Sequence, residues 1–119
     1  MSCGETFDWH FTQGEDAVID VTWKDENDSP IDLTGYVARC QGREEYQSAS
    51  TLFDVSSTGG GIVIDALNGK ITISIGNGTT ASIAAPISGV FDVEVESNTG
   101  IVTNILSGKL IINPEVTKS

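Results

Sequence analysis

The chain has 119 residues, 17 of them acidic and 6 basic, for a formal net charge of −11, and 39% of it is hydrophobic. A chain this long can bury a core without disulfides or metals, and so high an apolar fraction excludes a disordered acidic tail. The charge argues against a surface for nucleic acid or anionic membrane, and no apolar run approaches the ~20 residues of a membrane span.

Met1-Ser2-Cys3-Gly4-Glu5-Thr6 lacks the basic start and apolar stretch of a signal peptide, so a soluble protein made in a cytoplasm is expected. One domain over 1–119 is expected, with frayed ends at about 1–5 and 115–119. Ile and Val number 23 against 5 Leu, a bias toward residues that fit a pleated sheet. In chain order, Phe7, Trp9 and Phe11 alternate with Asp8, His10 and Thr12, and Ala17, Ile19, Val21 and Trp23 alternate with Val18, Asp20, Thr22 and Lys24. Asp25-Glu26-Asn27-Asp28-Ser29-Pro30 reads as a polar hairpin loop, and Cys40 ends an apparent strand. Gly42–Ser57 is less regular, and a long hairpin or loop crossing the sandwich is expected there. Gly59-Gly60-Gly61 opens Ile62-Val63-Ile64, Asn68-Gly69 marks a turn, and Ile71, Ile73 and Ile75 alternate with polar residues. Phe91, Val93 and Val95 alternate with Asp92, Glu94 and Glu96, and Asn98-Thr99-Gly100 joins that strand to Ile101–Ile112 as an antiparallel hairpin. Within the last run Ser107-Gly108 interrupts the alternation, as a bulge would. No window of helical length carries an apolar stripe with the period of a helix. The expected fold is all-β, an Ig-like antiparallel β-sandwich with at least five strands.

No residue set points to catalysis. His10 is the only histidine and lies in an alternating strand, opposite the aromatic face, where a solvent-facing role is expected. Cys3 and Cys40 belong to no metal-binding spacing; whether they pair is open, and reduced thiols are the default in a cytoplasm. Asp25-x-Asn27-x-Ser29 begins like a calcium loop but has Pro30 where a glycine is needed and Tyr36 where the bidentate glutamate belongs. Asp92, Glu94 and Glu96 read as a solvated strand face or a guarded sheet edge. The glycines at 59–61 lack the helix and lysine of a phosphate loop. Neither cofactor nor metal is expected.

Several landmarks follow one another along the chain: Glu5-Thr6-Phe7-Asp8, Pro30-Ile31-Asp32-Leu33-Thr34-Gly35-Tyr36, Gly61-Ile62-Val63-Ile64-Asp65, Gly89-Val90-Phe91-Asp92, and Ile105-Leu106-Ser107-Gly108-Lys109-Leu110 before Pro114-Glu115-Val116-Thr117. From about Phe7 to Thr117 this order resembles a small β-sandwich module of tailed bacteriophages, similar to the N-terminal domain of baseplate upper proteins and to tail-fibre attachment domains. The resemblance implies an Ig-like virion part, a tail, baseplate or fibre adaptor that docks to other phage proteins and forms homo-oligomers, with a trimer favoured. No fibre region follows Ser119, so an adaptor, decoration or connector piece is expected. Leu33 and Tyr36 are expected to enter the core on either side of a turn at Gly35. Trp9, Phe11, Trp23 and Tyr46 are expected to divide between core and interface. Trp9, Phe11, Tyr46, Asp92, Glu94 and Glu96 form the candidate interface. The alternatives are a carbohydrate-binding sandwich with tryptophan or tyrosine platforms, and a capsid decoration protein.

Overall fold

The alternation in the sequence becomes two layers of strands. A computed structural model of the chain describes residues 5–116. The strands are β1 (Glu5–Thr6), β2 (Trp9–Thr12), β3 (Ala17–Thr22), β4 (Val37–Arg43), β5 (Phe53–Ser56), β6 (Ile62–Asp65), β7 (Lys70–Ile75), β8 (Ile87–Glu96) and β9 (Val102–Asn113). A six-stranded sheet has the order β1-β9-β8-β4-β5, with β2 also on β9, and faces a three-stranded sheet ordered β3-β7-β6. This is the strand order of an Ig-like sandwich. Pairing is antiparallel throughout the described strands except at one edge, where β1 and β2 run parallel to β9. No hairpin links β2 to β9, so nothing forces them antiparallel.

Between the layers, Trp9 packs edge-on against Phe11, Phe53 and Phe91, with ring centroids 5.5, 5.8 and 5.4 Å away. Ile71, Ile73 and Ile75 of β7 are buried in the same core as Val93, Val95, Leu110 and Ile112. Leu33 is buried and Tyr36 half-buried against Trp23, on either side of a turn closed by the Tyr36 amide donating to the Leu33 carbonyl at 2.9 Å. Gly35 holds φ +84° in that turn, a value that favours glycine.

The segment 42–57 is the long hairpin of the two alternatives expected, joining β4 to β5 within one sheet. Three local expectations need correction. Cys40 sits inside β4, which continues to Arg43. The bulge in β9 is at Ile105: Val93 faces Leu106 while Glu94 faces Asn104, leaving Ile105 as the extra residue. Ile105 and Leu106 are therefore both buried, and the alternation changes phase there. Gly108 instead permits a close approach, since a Cβ would overlap the carbonyl of Phe7, whose amide donates to the Ser107 carbonyl at 2.9 Å. The chain breaks between β1 and β2 at this point, and Phe7, read in sequence as one of the core alternation, is 44% exposed.

Among the described residues, helix is confined to a 3-10 turn at Ala66–Asn68 and α1 (Asn77–Ser82). The Thr80 hydroxyl accepts from the Gly14 amide at 3.1 Å and donates to the Glu15 carbonyl at 2.7 Å, tying α1 to the β2–β3 turn. Thr80 is the one buried polar residue among those described.

Candidate docking face

Residues of β4, β8 and β9 that alternate away from the core form the outer face of the six-stranded sheet. The register places Val37 and Val102 on either side of Glu96, Arg39 and Asn104 on either side of Glu94, and Gln41 and Ser107 on either side of Asp92. Arg43 and Lys109 flank Val90 in the next row. A column of acids thus runs down β8 with cations toward one end and aliphatic side chains at the other. Val37 and Val102 are 42% and 55% exposed there. A shallow groove of about 530 Å³ lies over this aliphatic end, lined by Val37, Arg39, Asp54, Glu94, Glu96 and Val102 among others.

One side of the face is already engaged internally. Arg39 donates to both carboxylate oxygens of Asp54, from Nε at 3.2 Å and Nη2 at 2.9 Å, and Gln41 Nε2 donates to Oδ2 at 3.0 Å. The Arg39 hydrogen bonds hold the Asp54 carboxyl below the usual carboxylate range. Arg43 reaches the Gln41 side chain at 3.0 Å and the Ser48 carbonyl at 2.7 Å. The acids of β8 are less satisfied. Burial, then repulsion from Glu94, pushes the Asp92 carboxyl up, with Arg43 opposing. Asn104 Nδ2 donates to Asp92 at 3.3 Å, while Asn104 Oδ1 is buried without a hydrogen-bond partner among the described residues. Glu94 and Glu96 are exposed and, among the described residues, form no ion pair.

The structure separates the residues singled out in the sequence. Asp92, Glu94 and Glu96 share this face, but β8 lies between β4 and β9, so they do not guard an edge. Tyr46 is 76% exposed on the β4–β5 loop, where it lines a pocket of about 110 Å³ with Arg43, Val90 and Asp92. Trp9 and Phe11 must be withdrawn from the interface: each is 3% exposed, held in the core because β2 turns its odd residues inward. Trp23 is 6% exposed. Burial of both indoles removes the tryptophan platforms on which a carbohydrate-binding reading depends. His10 is exposed on the outer face, in register with Ile111. Cys3 lies outside the described residues. Cys40 is fully buried beneath the face, and burial, with the charges of Asp92 and Asp54 adding, pushes its thiol far above its ordinary range. That keeps it protonated and unreactive. In the calcium-like loop the Asp25 carboxylate accepts the amides of Asn27 and Ser29 at 2.9 and 3.0 Å, a local turn. Among the described residues no group of three His, Cys, Asp or Glu side chains could hold a metal ion.

Arg39, Gln41, Arg43 and Asp54 were not singled out from the sequence. The alternation of Val37, Arg39, Gln41 and Arg43 with Ala38, Cys40 and Gly42 was available as a signal, but the pairing with Asp54 depends on hairpin register.

No family model matches the chain, and no curated protein matches it. Among solved structures, the chain is similar to Drosophila OTK, extracellular domains 3–5, at 16% sequence identity and a TM-score of 0.41. The match covers 92% of this chain and 34% of that one, so the chain spans about a third of the length of that solved chain.

Proposed function

We propose that the chain is a structural component of a tailed-bacteriophage virion, a tail, baseplate or fibre adaptor that works by protein–protein docking without a catalytic step. The virion assignment draws on the resemblance of the landmarks from Phe7 to Thr117. The observation that carries the docking assignment is the outer face of the six-stranded sheet, where Glu94 and Glu96 stand exposed, with no ion pair among the described residues, beside Val37 and Val102. Exposed aliphatic side chains beside uncompensated charge favour a partner that supplies apolar contact and basic side chains together. The adaptor assembles as a homo-oligomer, with a trimer favoured, and has no role for nucleic acid, membrane, metal or cofactor.

The test is proteomic and structural. Mass spectrometry of purified particles should find the chain, and antibody labelling in electron micrographs should place it on the tail. Label on the head would make it a capsid decoration protein, and absence from particles would defeat the virion reading. Glu94→Lys with Glu96→Lys should abolish incorporation into particles while the purified variant stays folded by circular dichroism.

A further inference from the structure

The three-stranded sheet ends on β3, and no described strand pairs with its far side. The Ser74 amide donates to the Gly61 carbonyl at 2.8 Å, which turns the even residues of β7 toward β6 and its odd residues toward β3. Ala17, Ile19 and Val21 therefore bond to β7, and the main-chain amides and carbonyls of Val18, Asp20 and Thr22 point out of the sheet. The other edges are blunted by shortness. β5 and β6 have four residues each, and the outer edge of the large sheet is broken between β1 and β2, whereas β3 runs six residues without interruption. A groove of about 310 Å³ lies alongside, between β3 and the β1–β9 edge of the opposite sheet, with Thr6, Asp20 and Thr22 among its lining residues. Its walls include Ile19, Val21, Phe7 and Leu106.

We propose that β3 and this groove form a strand-addition site for an extended segment of a partner protein that alternates apolar and basic side chains. The segment pairs with the outward groups of Val18, Asp20 and Thr22 and extends the small sheet to four strands. Its apolar side chains then point into the groove over Ile19, Val21 and Leu106, against the exposed part of Phe7. Charge selects the occupant. Asp16 stands at the start of the edge and Asp8 beside Phe7, both exposed, and Asp20 at its middle is exposed with a solvent-facing ion pair to Lys70 at 3.8 Å. A second copy would bring another net charge of −11 to the same place, so a basic segment is favoured over self-pairing. This site lies on the other sheet from the outer acidic face and stands independently of the role proposed for that face.

The test is amide hydrogen exchange on the full chain, with a capped synthetic peptide of about eight residues alternating Val and Lys as the probe, the length of an ordinary strand. In the free protein the amides of Val18, Asp20 and Thr22 should exchange fast. Saturating peptide should slow them by on the order of tenfold, leaving β6 unaffected. A control peptide N-methylated at the pairing amides should give no protection. Val18→Pro, which removes one outward donor and leaves the ladder to β7 in place, should weaken binding, as should Asp20→Lys. Equal binding of the N-methylated peptide would overturn the proposal, because charge alone would then suffice. No binding, or protection at β5, β6 or the outer acidic face, would also overturn it. So would protection of the three amides before peptide is added. Sedimentation would then identify a second copy as the cover, and removal of residues 1–4 would identify the chain's own start.

Discussion

Asp92 is a carboxylate held in an unfavourable place, half-buried beside Glu94, with a hydrogen bond from Asn104 at 3.3 Å and, next to it, a buried Asn104 oxygen that has no partner among the described residues. Its folded-state affinity for a proton is raised, so ionised Asp92 subtracts from stability at neutral pH. That cost is relieved as pH falls through the raised value toward the ordinary carboxylate range, because the folded state takes up the proton first. Asp54 behaves oppositely: its carboxyl is lowered, so its contribution is intact above the ordinary carboxylate range and is lost as pH falls below it. Asp92→Asn should therefore stabilise the fold at pH 7, because the amide at position 92 carries no charge and can donate to Asn104 Oδ1. With solvent screening the gain should stay at or below about 1 kcal/mol. Urea denaturation across pH checks this, and the gain should shrink as pH falls, since the wild-type carboxyl is then uncharged as well. A gain independent of pH would assign the effect to something other than this charge.

At the scale of elements, period-two alternation was enough to place most of the strands, because a strand with one face in a core writes that face into every second residue. Phe91, Val93 and Val95 went to the core and Glu94 and Glu96 to the surface as their spacing required. The features that escaped are those fixed by contact between distant segments. Ile105 became the bulge because of its register against β8, whereas Gly108, the residue that looked like a bulge, is needed where Phe7 crosses it. Trp9 and Phe11 could be placed on one face from sequence, but that this face meets Phe53 and Phe91 required the packed layers. The candidate face was legible in its acids and illegible in its cations, because Arg39 finds Asp54 through a hairpin that spans the irregular stretch 44–52. The helix α1 is a further case. Its Thr/Ser-rich sequence has no apolar stripe, and it is anchored instead by Thr80 to backbone groups some 65 residues earlier in the chain. Thr80→Val keeps the shape and strands the Gly14 amide and Glu15 carbonyl, so it should cost about 1–3 kcal/mol in chemical denaturation. Thr80→Ser should recover most of that loss. If Thr80→Val were neutral, the tie would be incidental to the fold.

For the whole molecule the governing quantity is charge. Three ion pairs occur among the described residues, Lys24–Asp28, Arg39–Asp54 and Lys70–Asp20, and all are partly exposed, so they do little to offset a net charge of −11. The isolated chain therefore carries self-repulsion that works against the folded state. A basic partner would remove that repulsion as it docks. These two roles give salt opposite effects on the same protein. Raising NaCl from low ionic strength to several tenths molar shortens the screening length from tens of ångströms to a few. Self-repulsion then weakens, and the melting temperature of the isolated chain should rise by roughly 2–5 °C. Docking through Glu94 and Glu96 should weaken over the same range, chiefly by slower association. Parallel thermal melts and particle-incorporation or binding measurements at matched salt would read both signs. If salt strengthened docking, the interface would rest on the aliphatic end at Val37 and Val102 and not on the acids of β8.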